Sequence, residues 1–369
     1  MKTLTHPDQT QASLLPYLQE TENLLALAAT TVSGKAGTAE IVAMPDLGLP
    51  HNVRRIHGGF LTGAYYSWES SVPLVPVDAT VNVCGVSVYQ LERPILSEGE
   101  FLQRVATAKE AAAATTPYIW NYDSGNHFVT LAEVREPGGQ LPEGQYLVLH
   151  ASTAEFKRQF NGLYPAPGNW YSQDIQVVEG SNGRYLRYLS GAKAEDFYRT
   201  AEMLERYQRE RQRICAELIA GPGRLAAEII SVPHYGMPDQ GSVAIGCQWL
   251  AESEPTYLLL TRPGAPLYMI RASDDGQNRV RTDKGLRLLT PHGLGVRATS
   301  SFSLEVKKET LQLLDREYPL DMSLAGEDFI RIRDFDGIPT VKSHLSFCPG
   351  EITGTLHPLY SHYRQGKAA

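Results

Sequence analysis

The chain has 369 residues, 42% of them hydrophobic, and a formal net charge of −7. That length can bury a large core, while the acidic balance argues against broad binding to polyanions and leaves room only for a local phosphate site. No apolar run approaches the roughly 18 residues that span a bilayer, and Asp8, Glu20 and Glu22 stand where a secretory leader would be basic and then apolar, so a cytoplasmic protein without membrane contact is expected.

In chain order, residues 10 to 30 read as a helix carrying Leu14, Leu18, Leu24, Leu25 and Leu27. A strand is expected over 38 to 43, and the alternating run from Val77 to Cys84 extends a second over 77 to 91. Ser97 and Glu100 have capping-box spacing at the head of a helix over 97 to 116. Strand candidates follow at 127 to 134, 145 to 151 and 173 to 178. A helix over 194 to 220 has Phe197, Ala201, Leu204, Ile214 and Leu218 at helical spacing and stops at Gly221-Pro222-Gly223. Its Glu202, Glu205, Glu210, Arg206, Arg209, Arg211 and Arg213 read most simply as a solvated, salt-bridged face. Further strands are expected at 227 to 232, 241 to 250, 256 to 261 and 267 to 271, and a last helix from Ser303 to Tyr318. Strands arrive in runs instead of alternating with helices, which predicts an α+β fold with mixed or antiparallel sheets. With no repeat or low-complexity linker, 1–369 reads as a single domain in which 1–37 is an N-terminal helical segment.

The four cysteines are scattered and form no Cys-x-x-Cys pair, so each reads first as a buried thiol. Cys84 stands out because of its company. It ends one apolar run, His127 opens another within Gly125-Asn126-His127-Phe128, His150 ends Tyr146-Leu147-Val148-Leu149, and His234 follows Ile229-Ile230-Ser231-Val232-Pro233. One thiol and three imidazoles at strand ends are a candidate metal shell, and such ligands suit Zn²⁺, Mn²⁺ or Fe²⁺ better than Mg²⁺ or Ca²⁺.

The order of these pieces resembles the RtcB-type RNA ligases. Met44-Pro45-Asp46, Gly58-Gly59, Val83-Cys84-Gly85-Val86, Gly125-Asn126-His127-Phe128, His150 and Pro233-His234 follow that family's sequence of motifs. Thr261-Arg262-Pro263-Gly264-Ala265 is similar to its His-Arg-Lys-Gly-Ala loop, and the tail from Leu356-His357-Pro358-Leu359 to Gly366 to its closing segment, so the resemblance covers residues 38–369. It implies a compact RtcB-like domain around a dinuclear manganese centre bridged by the cysteine. It also implies GTP-dependent joining of RNA 3′-phosphate or 2′,3′-cyclic phosphate ends to a 5′-hydroxyl through a guanylylated histidine, an activity of tRNA splicing and RNA repair. Carried over by position, Cys84, His127 and His150 match one metal's ligands, Cys84 and His234 part of the other's, and Asn126 a residue beside the nucleotide.

The chain also departs from the pattern. Val81 stands where the family has an aspartate ligand, Tyr235 where it has asparagine, and Thr261 and Pro263 replace a histidine and a lysine; losing an anionic ligand should weaken the second metal site. His292-Gly293-Leu294-Gly295-Val296-Arg297 is similar to the nucleophile motif His-Gly-Ala-Gly-Arg, with one extra residue, which makes His292 the candidate catalytic nucleophile. The same stretch also resembles an earlier Pro-Gly-Ser-Met-Gly loop, in which case Gly293 and Gly295 would cradle a nucleotide phosphate by their amides and no nucleophile would remain. Arg54, Arg55, Arg262 and Arg297 are candidate contacts to substrate phosphate. Three readings stay open: an RNA ligase or RNA-end-processing enzyme using Mn²⁺ and GTP, a GTP-independent metal-dependent phosphodiesterase or other hydrolase, and a non-catalytic module that binds RNA ends or a small ligand; one metal instead of two is the alternative for the centre.

Overall fold

The computed structural model describes residues 1–115, 118–135, 141–153, 163–180, 183–262, 264–298, 303–307, 310–313, 316–324, 330–332 and 338–363. Among them the helices are α1 (Gln9–Ser33), α2 (Val53–Gly58), α3 (Glu98–Thr115), α4 (Ala192–Ala220) and α5 (Ile338–Leu345). Two sheets position the site. Numbered in chain order, their strands are β1 (Lys2–Thr3), β2 (Thr38–Gly48), β3 (Thr62–Glu69), β4 (Gly85–Leu91), β5 (Phe128–Val134), β6 (Gly144–Ala151), β7 (Leu225–Pro233), β8 (Tyr235–Gly236), β9 (Ser242–Ile245), β10 (Thr256–Leu259), β11 (Leu267–Ala272) and β12 (Gly350–Tyr363).

The larger sheet has seven strands in the order β7-β4-β6-β5-β12-β11-β10, and each neighbouring pair is antiparallel. Alternation sorts its side chains. Leu147 and Leu149 of β6 join Val129 and Leu131 of β5 on the face covered by α3 and α4, with Phe101, Val105, Ala216 and Ile219. Tyr146 and Val148 turn the other way, into a cluster with Val86, Val88, Met269 and Leu356. Both faces are therefore dry, which is why β6 reads as an unbroken apolar run. The second sheet, β1-β2-β3-β9-β8, packs with α1 into the largest core, through Leu14, Leu18, Ile41 and Tyr66.

The helix ends follow from local chemistry. Asp8 caps α1, with Gln11 returning the bond to complete a capping box, and Gly34 closes it in the left-handed conformation at φ 66°. Ser97 Oγ accepts from the Glu100 amide as expected, but the Glu100 carboxylate reaches back to the amide of Leu96. Arg213 of α4 does form surface pairs, with Glu210 and Glu217. Arg211 does not belong to that solvated face: it is wholly buried.

Three elements differ from expectation. The helix expected from Ser303 to Tyr318 is instead the strands Leu304–Val306, Thr310–Leu313 and Arg316–Pro319, paired antiparallel. Leu311 and Leu313 are buried to either side of the less buried Gln312, a period of two that favours a strand. The run Val77 to Cys84 is not the start of β4. It forms a short 3₁₀ turn at Val77–Ala79 and then irregular chain in which Thr80 and Val83 both have φ 49°. The strand expected over 241 to 250 is broken at Gly246, φ 59°, where a Cβ would meet Thr62 and His292.

Candidate metal centre

Cys84, His127, His150 and His234 come from four adjacent strands of the seven-stranded sheet, at the same end. Cys84 immediately precedes β4, His234 immediately follows β7, His127 immediately precedes β5, and His150 lies in the last turn of pairing of β6. The register brings them level: Pro233 pairs with Gly85, Gly85 with Ala151, Val86 with His150, and His150 with Phe128. Backbone bonds tie the ends further, because the amides of His234 and Tyr235 both donate to the Cys84 carbonyl, at 3.0 and 3.2 Å. The amide of Cys84 itself donates to Asn82 Oδ1. Val83, just before it, holds a left-handed backbone that a β-branched residue adopts only under strain, on the order of 1–3 kcal/mol.

The donor atoms face one another. His150 Nε2 lies 3.2 Å from Cys84 Sγ and 3.2 Å from His234 Nε2, and His127 Nε2 lies 3.6 Å from the same sulfur. Metal–ligand bonds of about 2.0–2.3 Å in tetrahedral geometry set ligand atoms roughly 3.3–3.6 Å apart. Cys84, His150 and His234 thus form a buried group that could hold a metal ion. His127 reaches the group at the sulfur, its ring 5.3 Å from that of His150.

Two of the imidazoles are held in the tautomer a metal needs. His127 Nδ1 sits 3.1 Å from the carbonyl of Asn121, and His150 Nδ1 3.1 Å from the carbonyl of Asn126. A carbonyl only accepts, so each Nδ1 carries the proton and each Nε2 keeps its lone pair for the centre. Burial pushes the His150 pKa down to about 3, helped by the neighbouring imidazole of His292 and opposed by the bond to Asn126. Burial also holds His234 well below the usual imidazole range, with His150, His292 and His127 adding to the effect. Both rings are neutral near pH 7, the state that binds a cation. Of the other thiols, burial raises the pKa of Cys247 and Cys348, which keeps them protonated.

His292 stands beside the group, its ring 5.0 Å from that of His234. It is oriented by a residue that the sequence offered only as part of a motif. Asp46 is fully buried and its Oδ2 accepts from His292 Nδ1 at 2.6 Å, from the His292 amide at 3.1 Å and from the Gly293 amide at 3.2 Å. The Gly293 amide is therefore engaged by a carboxylate and is not offered to a phosphate. Gly295 lies two residues on with φ 82°. No local signal could have paired Asp46 with His292, since 246 residues separate them.

The remaining candidates fall into two groups. Asn126 is exposed and contributes its carbonyl to His150. Arg55 bonds Thr80 Oγ1 through Nε and lies 4.1 Å over the ring of Tyr235, next to His234. Arg54 is half-buried on the same helix, with no hydrogen-bond partner for its Nε among the described residues. Arg262 lines a crevice with Phe128, Thr130, Gly264 and Ser361, and Leu260 just before it donates to the carbonyl of His292. Pro263 of that loop lies outside the described residues. Arg297 is exposed on the strand Val296–Ala298. Asp78, the nearest acidic residue in sequence to Cys84, is turned away to a two-pronged pair with Arg187, and Val81 is buried. His57 bonds the carbonyl of Lys307 at 2.7 Å and His51 that of Leu324 at 3.4 Å, so both serve as loop ties.

Neither a scan against protein-family models nor a search of curated proteins found a match for this chain. No helix among the described residues is long and apolar enough to cross a membrane.

Proposed function

We propose that this chain is an RtcB-like, metal-dependent enzyme acting on RNA ends that carry a 3′-phosphate or 2′,3′-cyclic phosphate, with His292 as the nucleophile toward a nucleotide phosphorus. The observation that carries the reading is the meeting, at one end of one sheet, of the Cys84/His150/His234 group and a carboxylate-backed imidazole. A divalent cation held by Cys84, His127, His150 and His234 would supply a Lewis acid for a phosphoryl oxygen. The protein's own part is positional. With its Nδ1 proton fixed on Asp46, His292 presents an Nε2 lone pair, and the carboxylate stabilises the positive charge the ring gains as that lone pair is shared. Arg55, which lies over Tyr235 beside His234, and Arg262, in the crevice with Phe128, would offer planar donors to phosphate oxygens.

The test is incubation with Mn²⁺ and GTP labelled at the α-phosphorus. Acid-labile label on the wild type that is lost in His292→Ala supports the reading. An unlabelled wild type with bound metal would sink the guanylylation step. Metal content near zero in both the wild type and Cys84→Ala would remove the ligand set itself.

A second reading has its own support. Asp78 is committed to Arg187 and Val81 is apolar, so neither supplies the carboxylate that would complete a second metal site, and among the described residues the candidate metal group contains no carboxylate. One metal and no GTP would make the chain a phosphodiesterase, with direct attack of water on the phosphate. Cleavage of a cyclic phosphate without added GTP, at one metal per chain, selects this outcome.

A further inference from the structure

The face of α4 that meets the candidate centre is polar where it should be apolar. Gln208, Arg211, Gln212 and Cys215 share one face at i, i+3, i+4 and i+7. From Cys215 onward that face is ordinary core, with Ala216 and Ile219 packed against Leu147 and Leu149. Before it, a guanidinium and two amides are each buried to within 3% exposure. Burying such groups is unfavourable unless every one is hydrogen-bonded, and an apolar stripe would hold a helix to a sheet at least as well.

The partners of these three side chains are not scattered. Gln212 Nε2 donates to the carbonyls of Gly85 and Leu149, at 3.0 and 3.4 Å, while its oxygen accepts from Ser87 Oγ. Gln208 Nε2 donates to the carbonyl of Ala151 at 2.6 Å. Arg211 donates through Nη1 to the Ser152 carbonyl at 2.8 Å and Gln208 Oε1 at 3.0 Å, and through Nη2 to the Ile119 carbonyl at 2.7 Å and Asn121 Oδ1 at 3.0 Å. Asn121 Nδ2 closes the network on Ser152 at 2.7 Å. Gly85 adjoins Cys84, and Leu149, Ala151 and Ser152 surround His150. Asn121 is the residue whose carbonyl takes the proton of His127 Nδ1.

We infer that Gln208, Arg211 and Gln212 are positioning residues of the metal-ligand set: they hold the strand ends bearing Cys84 and His150 in place, and through Asn121 they fix the ring and tautomer of His127. The inference rests on the reading of those side chains as ligands. Outer partners of metal ligands typically change metal affinity by about 10–100-fold when removed. A fork of donors to four oxygens is a task for arginine, and lysine cannot reproduce it.

The experiment uses the full chain with Co²⁺, whose thiolate absorption band reports on Cys84, together with chelator competition. Arg211→Lys and Gln212→Met are compared with Ile219→Val, a core change on the same helix. Gln212→Met is the variant expected to fold without difficulty, because Ser87 Oγ keeps Ser231 Oγ as a partner at 2.9 Å. Both stripe variants should lose about tenfold or more in affinity with an altered thiolate band, and Ile219→Val should keep the wild-type values. Wild-type affinity and band in both stripe variants would overturn the inference. Should the wild type bind no Co²⁺, the ligand reading has failed, and the clamp is then judged in the metal-free protein by ¹⁵N NMR of the His127 ring. A single Nδ1–H tautomer in the wild type that becomes a mixture in Arg211→Lys supports the clamp. An unchanged single tautomer in Arg211→Lys overturns it.

Discussion

His150 and His292 each contact the ring of His234, and they differ in what their δ nitrogens meet. His150 Nδ1 faces a neutral backbone carbonyl, its ring is 1% exposed, and burial drives its pKa down to about 3. His292 Nδ1 faces the buried carboxylate of Asp46, and its side chain is 16% exposed. A ring that stays neutral and has no path to solvent is suited to holding a cation. A ring backed by a negative charge, with an edge open to solvent, is suited to sharing electrons with a substrate and tolerating the charge that results. On the proposed reading, the partner of the second nitrogen suits one ring to be a ligand and the other a nucleophile, although both contact the ring of His234.

The sharpest way to break that contrast is Asp46→Asn. An amide can still occupy the space, but it supplies no charge and can turn an NH₂ toward Nδ1, inverting the tautomer. We expect His292-dependent labelling by GTP to fall by about 100-fold or more, the scale on which a positioned acid or base acts, while metal content stays at the wild-type level. If metal is lost along with labelling, the two regions are one structural unit and the division of roles fails. A second variant separates structure from ligation. Asp78→Asn weakens the buried fork to Arg187 and should cost about 3 kcal/mol in a denaturant titration. Metal content per folded chain should not change, and a loss of metal would place Asp78 among the groups that the metal site depends on.

Much of the Cys/His cluster was legible as a spatial grouping, because apolar strand runs that begin or end in histidine place imidazoles at strand ends. His127, His150 and His234 were found in that way. Cys84 was found for a reason that did not survive: its run was read as a strand, whereas the chain there turns through Thr80 and Val83 and only then enters β4. The sequence carries hydrophobic period, but the ion pair of Asp78 with Arg187 made within this stretch spans 109 residues. Asp46 and Arg211 were missed for the same physical reason. A charged residue reads as solvated until its partners are known, and those partners lie in other segments of the chain: the loop at His292 for Asp46, and Ile119, Asn121 and Ser152 for Arg211. The helix expected over 303 to 318 failed locally, where Leu311 and Leu313 follow a period of two.

The smallest effect tests the neutral side of the contrast, and its sign can be worked out. Unfolded, His150 would take up a proton as pH falls through about 6.5; folded, it resists until about 3. Between those values the unfolded chain binds more protons than the native one, so the stability of the metal-free protein should decline as pH drops from about 6.5 and level off only near 3. Each such group contributes a slope of about 1.4 kcal/mol per pH unit inside its window. His234, shifted in the same direction, adds to it. Replacing His150 with Gln should therefore flatten the dependence of stability on pH by about one proton's worth, read from urea titrations at a series of pH values in the presence of chelator. An unchanged slope would mean that the His150 ring is already protonated in the native metal-free state, and that the proton on Nδ1 alone does not define it as a ligand.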